Sequence, residues 1–475
     1  MRHIGLRFLA LLVYNLCAVC FAGSEGTPPR LLGEDKSGGN QSDDAITLVI
    51  DILRSGERGM QAVAMSMVRE MPSTEVTKAL IKELPNLSPA AQMQLLSALA
   101  DRGDRTALPA VITATKAEEP SVRIAALKAI GQLGDASSVA LLAQTAANSK
   151  AEEQKAARES LYRLRGQKID EAILAGICCA DPKVKVELIQ SVGQRNITVG
   201  VQTLLNTARD PDSKVQRESF KVLKVIADEK YLPALVELLL KIESASVRGE
   251  AEKTVAAVAH KIEDKNRQAE AVIVVLPEVA DITKRCSLLS VLGRIGDDSA
   301  LPVLGAALSS DNAKEQDAAI RALSDWPNSK PLNDLLKIAK TSQNEIHRIL
   351  ALRGFVRLLG LESDGSTELA EVRPAKETIK LYQQAMDLAP SVPEKRMVLS
   401  GLANVKSLAA LEMAASYLKD ETLLQEAEVA VVKIAEGTFE SHPQQTKDIL
   451  NKIIQATKND SLRQQAEKIG NQIKN

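Results

Sequence analysis

Apolar residues recur along this chain at two nested intervals. Val122, Ala126, Ala129, Ile130 and Leu133 stand at i, i+4, i+7, i+8 and i+11, one stripe of an α-helix. Arg123, Lys128 and Gln132 lie off that stripe. The pattern begins again at Ala91, Glu153, Val184, Val215, Val247, Lys284, Glu315 and His347, so successive starts differ by 31, 31, 31, 31, 32, 37, 31 and 32 residues. An ordinary amphipathic helix has the stripe but not the interval. A period of this length predicts a solenoid, in which each unit buries its apolar face only against its neighbours.

Reading by columns sharpens this. The column of Ile130 holds Leu99, Leu161, Val192, Leu223, Val255, Leu292, Leu323 and Phe355, all apolar as a buried helix position requires. The column of Ala129 is small or short: Ala98, Ser160, Ser191, Val222, Thr254, Val291, Ala322 and Gly354. It suits a place where two helices approach closely, and the shared column of Gly131, Gly193 and Gly293 is read the same way. A second, shorter helix precedes each stripe. Gly103-Asp104 and Gly296-Asp297 each open such a helix, with Pro109 and Pro302 in its first turn, where the missing N–H is tolerated. The unit is therefore helix, turn, helix, without a strand.

These residues carry a resemblance. The unit resembles the HEAT-like repeat of bacterial proteins: a first helix containing Pro, then Val-Arg, Ala, Ala-Leu, Gly and Leu-Gly-Asp. Residues 120–135 and 283–297 match it well, whereas Glu153–Arg165 and Glu315–Pro327 lack the Val-Arg start. Ala322 to Pro327 and Glu394 to Leu402 are similar to a secreted bacterial subgroup, in which the array often accompanies a sugar-hydrolase-like domain. This sequence shows no β-rich segment of that kind. The resemblance implies an all-α, right-handed α-solenoid (a superhelix) of about thirteen HEAT-like helical hairpins, with second helices on the concave side. It identifies function poorly, because such arrays serve many partners.

The start of the chain reads as a secretory leader over residues 1–22: Arg2, His3 and Arg7, then an apolar run from Phe8 to Phe21, then Ala22 before the expected cleavage. The run is shorter than the roughly 18–20 residues that span a bilayer. A secreted or periplasmic location follows, with no membrane span in the mature chain. Residues 23–42, rich in Gly, Ser, Pro and Asp, read as a disordered linker, and residues 43–475 as the solenoid. The 47-residue gap between His347 and Glu394 places an irregular insertion near 361–374.

Charge is nearly balanced. Loss of Arg2 and Arg7 from 60 basic residues leaves 58 against 61 acidic, near −3, which argues against a general nucleic-acid binder. Three cysteines remain after cleavage, without a disulfide framework or zinc spacing. Cys178 and Cys179 read as reduced, partly buried residues and Cys286 as a free thiol near the stripe's edge. His260, His347 and His442 lie in different repeats, and His347 falls in the packing column of Val122. Trp326, the sole Trp, occupies the inward column of Leu133 rather than a sugar platform. No Gly-rich phosphate loop and no acid/base pair stand out. The chain thus reads as non-catalytic, with no cofactor.

One candidate surface remains. The off-stripe columns of Lys128 and Gln132 hold Lys128, Arg163, Lys221, Lys253, Arg294, Arg321, Arg353 and Arg357. Stacked on a concave face, these cations would steer an acidic protein or peptide. The alternative is a solvated charged face, and Asp101, Glu159 and Asp325 interrupt the run. The expectation is a protein-binding scaffold of the cell envelope or exterior. An accessory subunit of a carbohydrate-degrading assembly, or a lyase resembling the HEAT-like bilin lyases, are the alternatives.

Overall fold

The computed structural model describes residues 40–55, 58–71, 73–361 and 373–473. The expected leader, the linker up to residue 39 and residues 362–372 of the expected insertion lie outside these. The described residues form twenty-six α-helices and no strand.

They divide into two compact units, one ending at Ala110 and one beginning at Val111. Up to the division run α1 (Asn40–Ser55), α2 (Arg58–Glu70), α3 (Thr74–Glu83) and α4 (Pro89–Arg102), and the division itself falls within α5 (Leu108–Ala114). Then follow α6 (Pro120–Leu133), α7 (Ser138–Asn148), α8 (Ala151–Arg163), α9 (Ile169–Cys179), α10 (Pro182–Gln194), α11 (Val201–Thr207) and α12 (Ser213–Ile226). Next come α13 (Leu232–Leu239), α14 (Ala245–Ala259), α15 (Glu270–Val275), α16 (Ile282–Ile295), α17 (Leu301–Leu308), α18 (Ala313–Ser324) and α19 (Leu332–Thr341). The last are α20 (Glu345–Leu361), α21 (Ala375–Leu388), α22 (Val392–Leu402), α23 (Leu408–Ser416), α24 (Leu424–Thr438), α25 (Pro443–Ala456) and α26 (Asp460–Gln472). Odd-numbered helices are the first helices and even-numbered the second, giving thirteen pairs among the described residues. In the second unit each second helix from α6 onward packs on the next, the arrangement of an α-solenoid.

Local chemistry sets the helix limits. Ser88, Asp181, Asp212, Asp281 and Asn312 precede second helices and accept hydrogen bonds from first-turn N–H groups that have no intrahelical partner, such as Lys284 N–H to Asp281 at 2.9 Å. Gly296 ends α16 at φ 68°, and a Cβ there would meet the Pro327 ring at 2.5 Å, so the turn admits only glycine. Asp104 and Asp297 receive the N–H groups of Thr106 and Ser299, the caps expected of the Gly-Asp turns.

The columns become contacts. Every residue in the column of Ile130 is buried. A Cβ on Gly131 would stand 3.0 Å from Ser160, one on Gly193 3.1 Å from Val222, and one on Gly293 2.5 Å from the Cα of Ala322. The glycine column of one repeat thus presses on the small column of the next. Along α26 only Leu462, Ala466 and Ile469 are buried, and the remainder of the helix is polar.

Candidate partner-binding cleft

The polar residues beside the stripe fall into structural sets, and these limit what is left for binding. The first set is the column of Arg123. Gln61, Gln92, Arg123, Gln154, Arg248, Arg285, Gln316 and Arg348 each donate to a carbonyl at or just past the end of the preceding first helix. The Val-Arg signature therefore closes the hairpin by satisfying carbonyls that the helix leaves open.

The second set links repeats. Glu153, Glu315 and Glu394 stand at the start of their stripes, where Ala91, Val122, Val184, Val215 and Val247 are apolar. Each takes a cation from the repeat before: Arg123 to Glu153 at 3.0 Å, Arg285 to Glu315, and Arg353 to Glu394 at 2.9 Å. In these repeats an ion pair stands where the hydrophobic contact is missing. Burial opposes ionisation of Glu315, but hydrogen bonds from Ser310 and Arg285 prevail and hold its pKa below the ordinary 4.5. Bonds from Ser391 and Arg353 lower that of Glu394 in the same way.

The third set caps second helices from the following repeat. Arg102 donates to the carbonyls of Val68 and Met71, and Arg195 to Tyr162 and Leu164 at 3.0 and 2.8 Å. Lys261 donates to Val225 and Ala227, both at 2.7 Å, and Arg357 to Ser324 at 2.7 Å and to Trp326. Cations here oppose the negative ends of the helix dipoles. Burial lowers the pKa of Arg102, Lys261 and Arg357.

The eight cations singled out by sequence consequently separate. Arg357 has its guanidinium tied to backbone carbonyls, and Arg353 to Glu394. Lys221 and Lys253 pair along their own helices with Glu218 and Glu250 at 3.1 and 3.4 Å. Lys128 and Arg163 are exposed, without an ion pair among the described residues. Arg294 and Arg321 come together at a concavity.

That concavity is a cleft of about 530 Å³ across the outer faces of α16, α18 and α20. Its lining is small along Gly293, Ala313, Ala318 and Ala322, with Cys286 and Ser290 from α16. Ile346, 61% exposed, joins the lining from the start of α20. Lys314, Asp317 and Asp325 supply further charge. Arg321 is held by Asp317 at 2.8 Å. Arg294 reaches Glu252 only at 3.9 Å, since that carboxylate already accepts the Ser287 and Ser290 hydroxyls at 2.5 and 3.0 Å. Burial, then the charges of Glu315 and Asp317, raises the pKa of the Cys286 thiol and keeps it neutral. Column reading noted Cys286 only as a thiol at the stripe's edge and missed Lys314, Asp317 and Ile346, because all four flank the stripe in columns where other repeats carry unrelated residues.

Other sequence candidates settle into packing. Trp326 is fully buried, its Nε1–H 3.3 Å from Asp298, and His347 is 4% exposed although it reaches the cleft. Cys178 and Cys179 are free and exposed, not partly buried as expected; Cys286 is free and half-buried. The described residues contain no group of three or more His, Cys, Asp or Glu able to hold a metal, and none of their helices is long and apolar enough to cross a membrane.

Known proteins bear on the repeat. Residues 77–162 and 171–256 match the family model of HEAT repeats. Residues 284–310 match that of the PBS lyase HEAT-like repeat. No curated protein matches the chain. Among solved structures, Kap121p is similar at a TM-score of 0.50 and 12% identity, over 91% of this chain and 54% of that one. Kap95p, from a structure of its binding to RanGDP, is similar at 0.50 and 11% identity, over 91% and 67%. The chain spans about half the length of Kap121p, and likeness at this identity establishes the fold alone.

Proposed function

We propose that this protein is a non-catalytic scaffold that binds a protein segment across its second helices, with the α16–α18–α20 cleft as the contact site. The observation that carries the reading is the cleft itself. It lies on the outer face of three stacked helices, its lining is small, and two of the sequence-selected cations, Arg294 and Arg321, border it. Most other cations of the two selected columns are committed to helix ends or to neighbouring carboxylates, so they serve the array. The fold supports the same reading: Kap121p, of similar fold, has been solved bound to Ste12p, at a TM-score of 0.50 and 12% identity. The placement we propose is the cell envelope or exterior, on the strength of the basic start and apolar run of residues 1–22.

A photoreactive amino acid in place of Ser290 tests this in the producing cell. The expected result is one predominant protein adduct at 290 and none when the same group replaces the exposed Val199. Equal adducts at both positions, or none at 290, would overturn the assignment. Turnover of a sugar or tetrapyrrole by the purified chain would overturn the non-catalytic reading.

A further inference from the structure

We infer that the α16–α18–α20 cleft takes an extended acidic segment, two carboxylates about five residues apart flanking an apolar side chain; the inference rests on the scaffold reading above. Its basis is which charges in the cleft remain uncommitted. Asp317 holds Arg321 at 2.8 Å, while the exposed Asp325 has no side-chain hydrogen bond or ion pair among the described residues. Two cations are left. Arg294 has only the 3.9 Å approach to Glu252, and exposed Lys314 has no hydrogen bond or ion pair of its ammonium among the described residues. With Arg294, Lys314 and Arg321 against Asp317 and Asp325, and two of those cations under-engaged, the cleft is complementary to an acidic occupant.

The register sets the spacing. Arg294 lies near the end of α16, ten positions into its stripe, and Lys314 one position before the stripe of α18 begins. Consecutive second helices run in the same direction. Eleven positions at 1.5 Å rise separate the two levels by roughly 16 Å. An extended chain covers that distance in about five residues.

Between the two charges the cleft suits a peptide backbone carrying an apolar side chain. Ala313 and Ala318, short and accessible, leave room for main chain, and the neutral Cys286 and the exposed Ile346 offer apolar cover. The Asn344 carboxamide accepts the Ile346 N–H at 2.9 Å through Oδ1, which leaves its NH₂ to donate to an incoming carbonyl. The volume of about 530 Å³ lies within the roughly 300–1,000 Å³ of ligand sites.

The test uses the full chain and a fluorescein-labelled peptide, Glu-Gly-Leu-Ser-Gly-Glu, read by anisotropy and by protection of Cys286 from alkylation in a C17S/C20S/C178S/C179S background. Saturable binding is expected, weakened roughly tenfold by Gln in place of both Glu, by Arg294→Gln and by Lys314→Glu, and weakened by salt. Lys468→Glu, on the distant α26, should have no effect, and thermal melts of all variants should match. Bound peptide should slow alkylation of Cys286. The inference is overturned if the Gln peptide binds equally, if Cys286 labels at an unchanged rate, or if nothing binds up to about 1 mM. Peptide failure with a single protein adduct at residue 290 would remove the acidic occupant and leave the scaffold. Failure of both would remove the scaffold too.

Discussion

The Arg123 guanidinium stands 3.0 Å from the Glu153 carboxylate, thirty positions along the chain and one repeat away. The interval seen in the sequence is here a bond between successive second helices. The same acid position is used at Glu315 and Glu394, and at both the carboxylate is buried and further bonded by a serine.

Acid should therefore loosen the array at these joints. Glu315 and Glu394 have folded pKa values below their ordinary 4.5, so their contribution is complete above that value and is lost as pH falls towards the folded pKa. The melting temperature of the wild type should fall as pH drops below about 4.5, and less so in the Glu315→Gln, Glu394→Gln double variant. Parallel curves would remove these pairs as the cause. At neutral pH, Glu315→Ala should cost about 1–3 kcal/mol, because Arg285 is left half-buried without its partner.

Close helix approach predicts opposite outcomes at two helical glycines. Gly293→Ala forces a Cβ to within 2.5 Å of the Ala322 backbone and should destabilise by about 1–3 kcal/mol. Gly249→Ala meets nothing within 4 Å and should stabilise by about 0.5–1 kcal/mol through helix propensity. Thermal melting by circular dichroism reads both, and shifts of the same sign would contradict the close-packed assignment.

The capping cations should matter more than the exposed ones. Arg195→Ala removes donors to Tyr162, Leu164 and Asp170 and should cost about 2–3 kcal/mol, partly restored by Arg195→Lys, which keeps charge at the helix end. Arg163→Ala, exposed and without an ion pair among the described residues, should stay within about 0.5 kcal/mol. Chemical denaturation would rank them, and equal losses would contradict the distinction.

Thiol reactivity should separate the cysteines. Cys178 and Cys179 should titrate quickly with a disulfide reagent near neutral pH, and Cys286 slowly, because burial and nearby acids raise its pKa. Raising the pH, or Asp317→Asn, should accelerate Cys286. Three equal rates would show that its environment is not the one described.

Trp326 offers an intrinsic probe. Its full burial predicts blue-shifted emission that soluble oligosaccharides leave unchanged. A sugar-dependent shift would revive the carbohydrate alternative.

The sequence by itself determined the repeat: its length, its buried column, its small column and the packing of Trp326 and His347. These follow from helical geometry and a fixed interval, so they survive without coordinates. It also marked Arg294 and Arg321, but could not separate them from Arg353 or Arg357, because all four are cations off the stripe. Only the tertiary structure decided which were already engaged. Arg357 meets carbonyls about thirty residues away, Arg353 meets Glu394 across the irregular gap, and Arg294 is left with a carboxylate that two serines already occupy. The same holds for Glu153 and Glu315, defects in a column of letters and ion pairs in space. Such partners lie in neighbouring repeats, and a column shows what a residue is, whereas only packing shows what it meets.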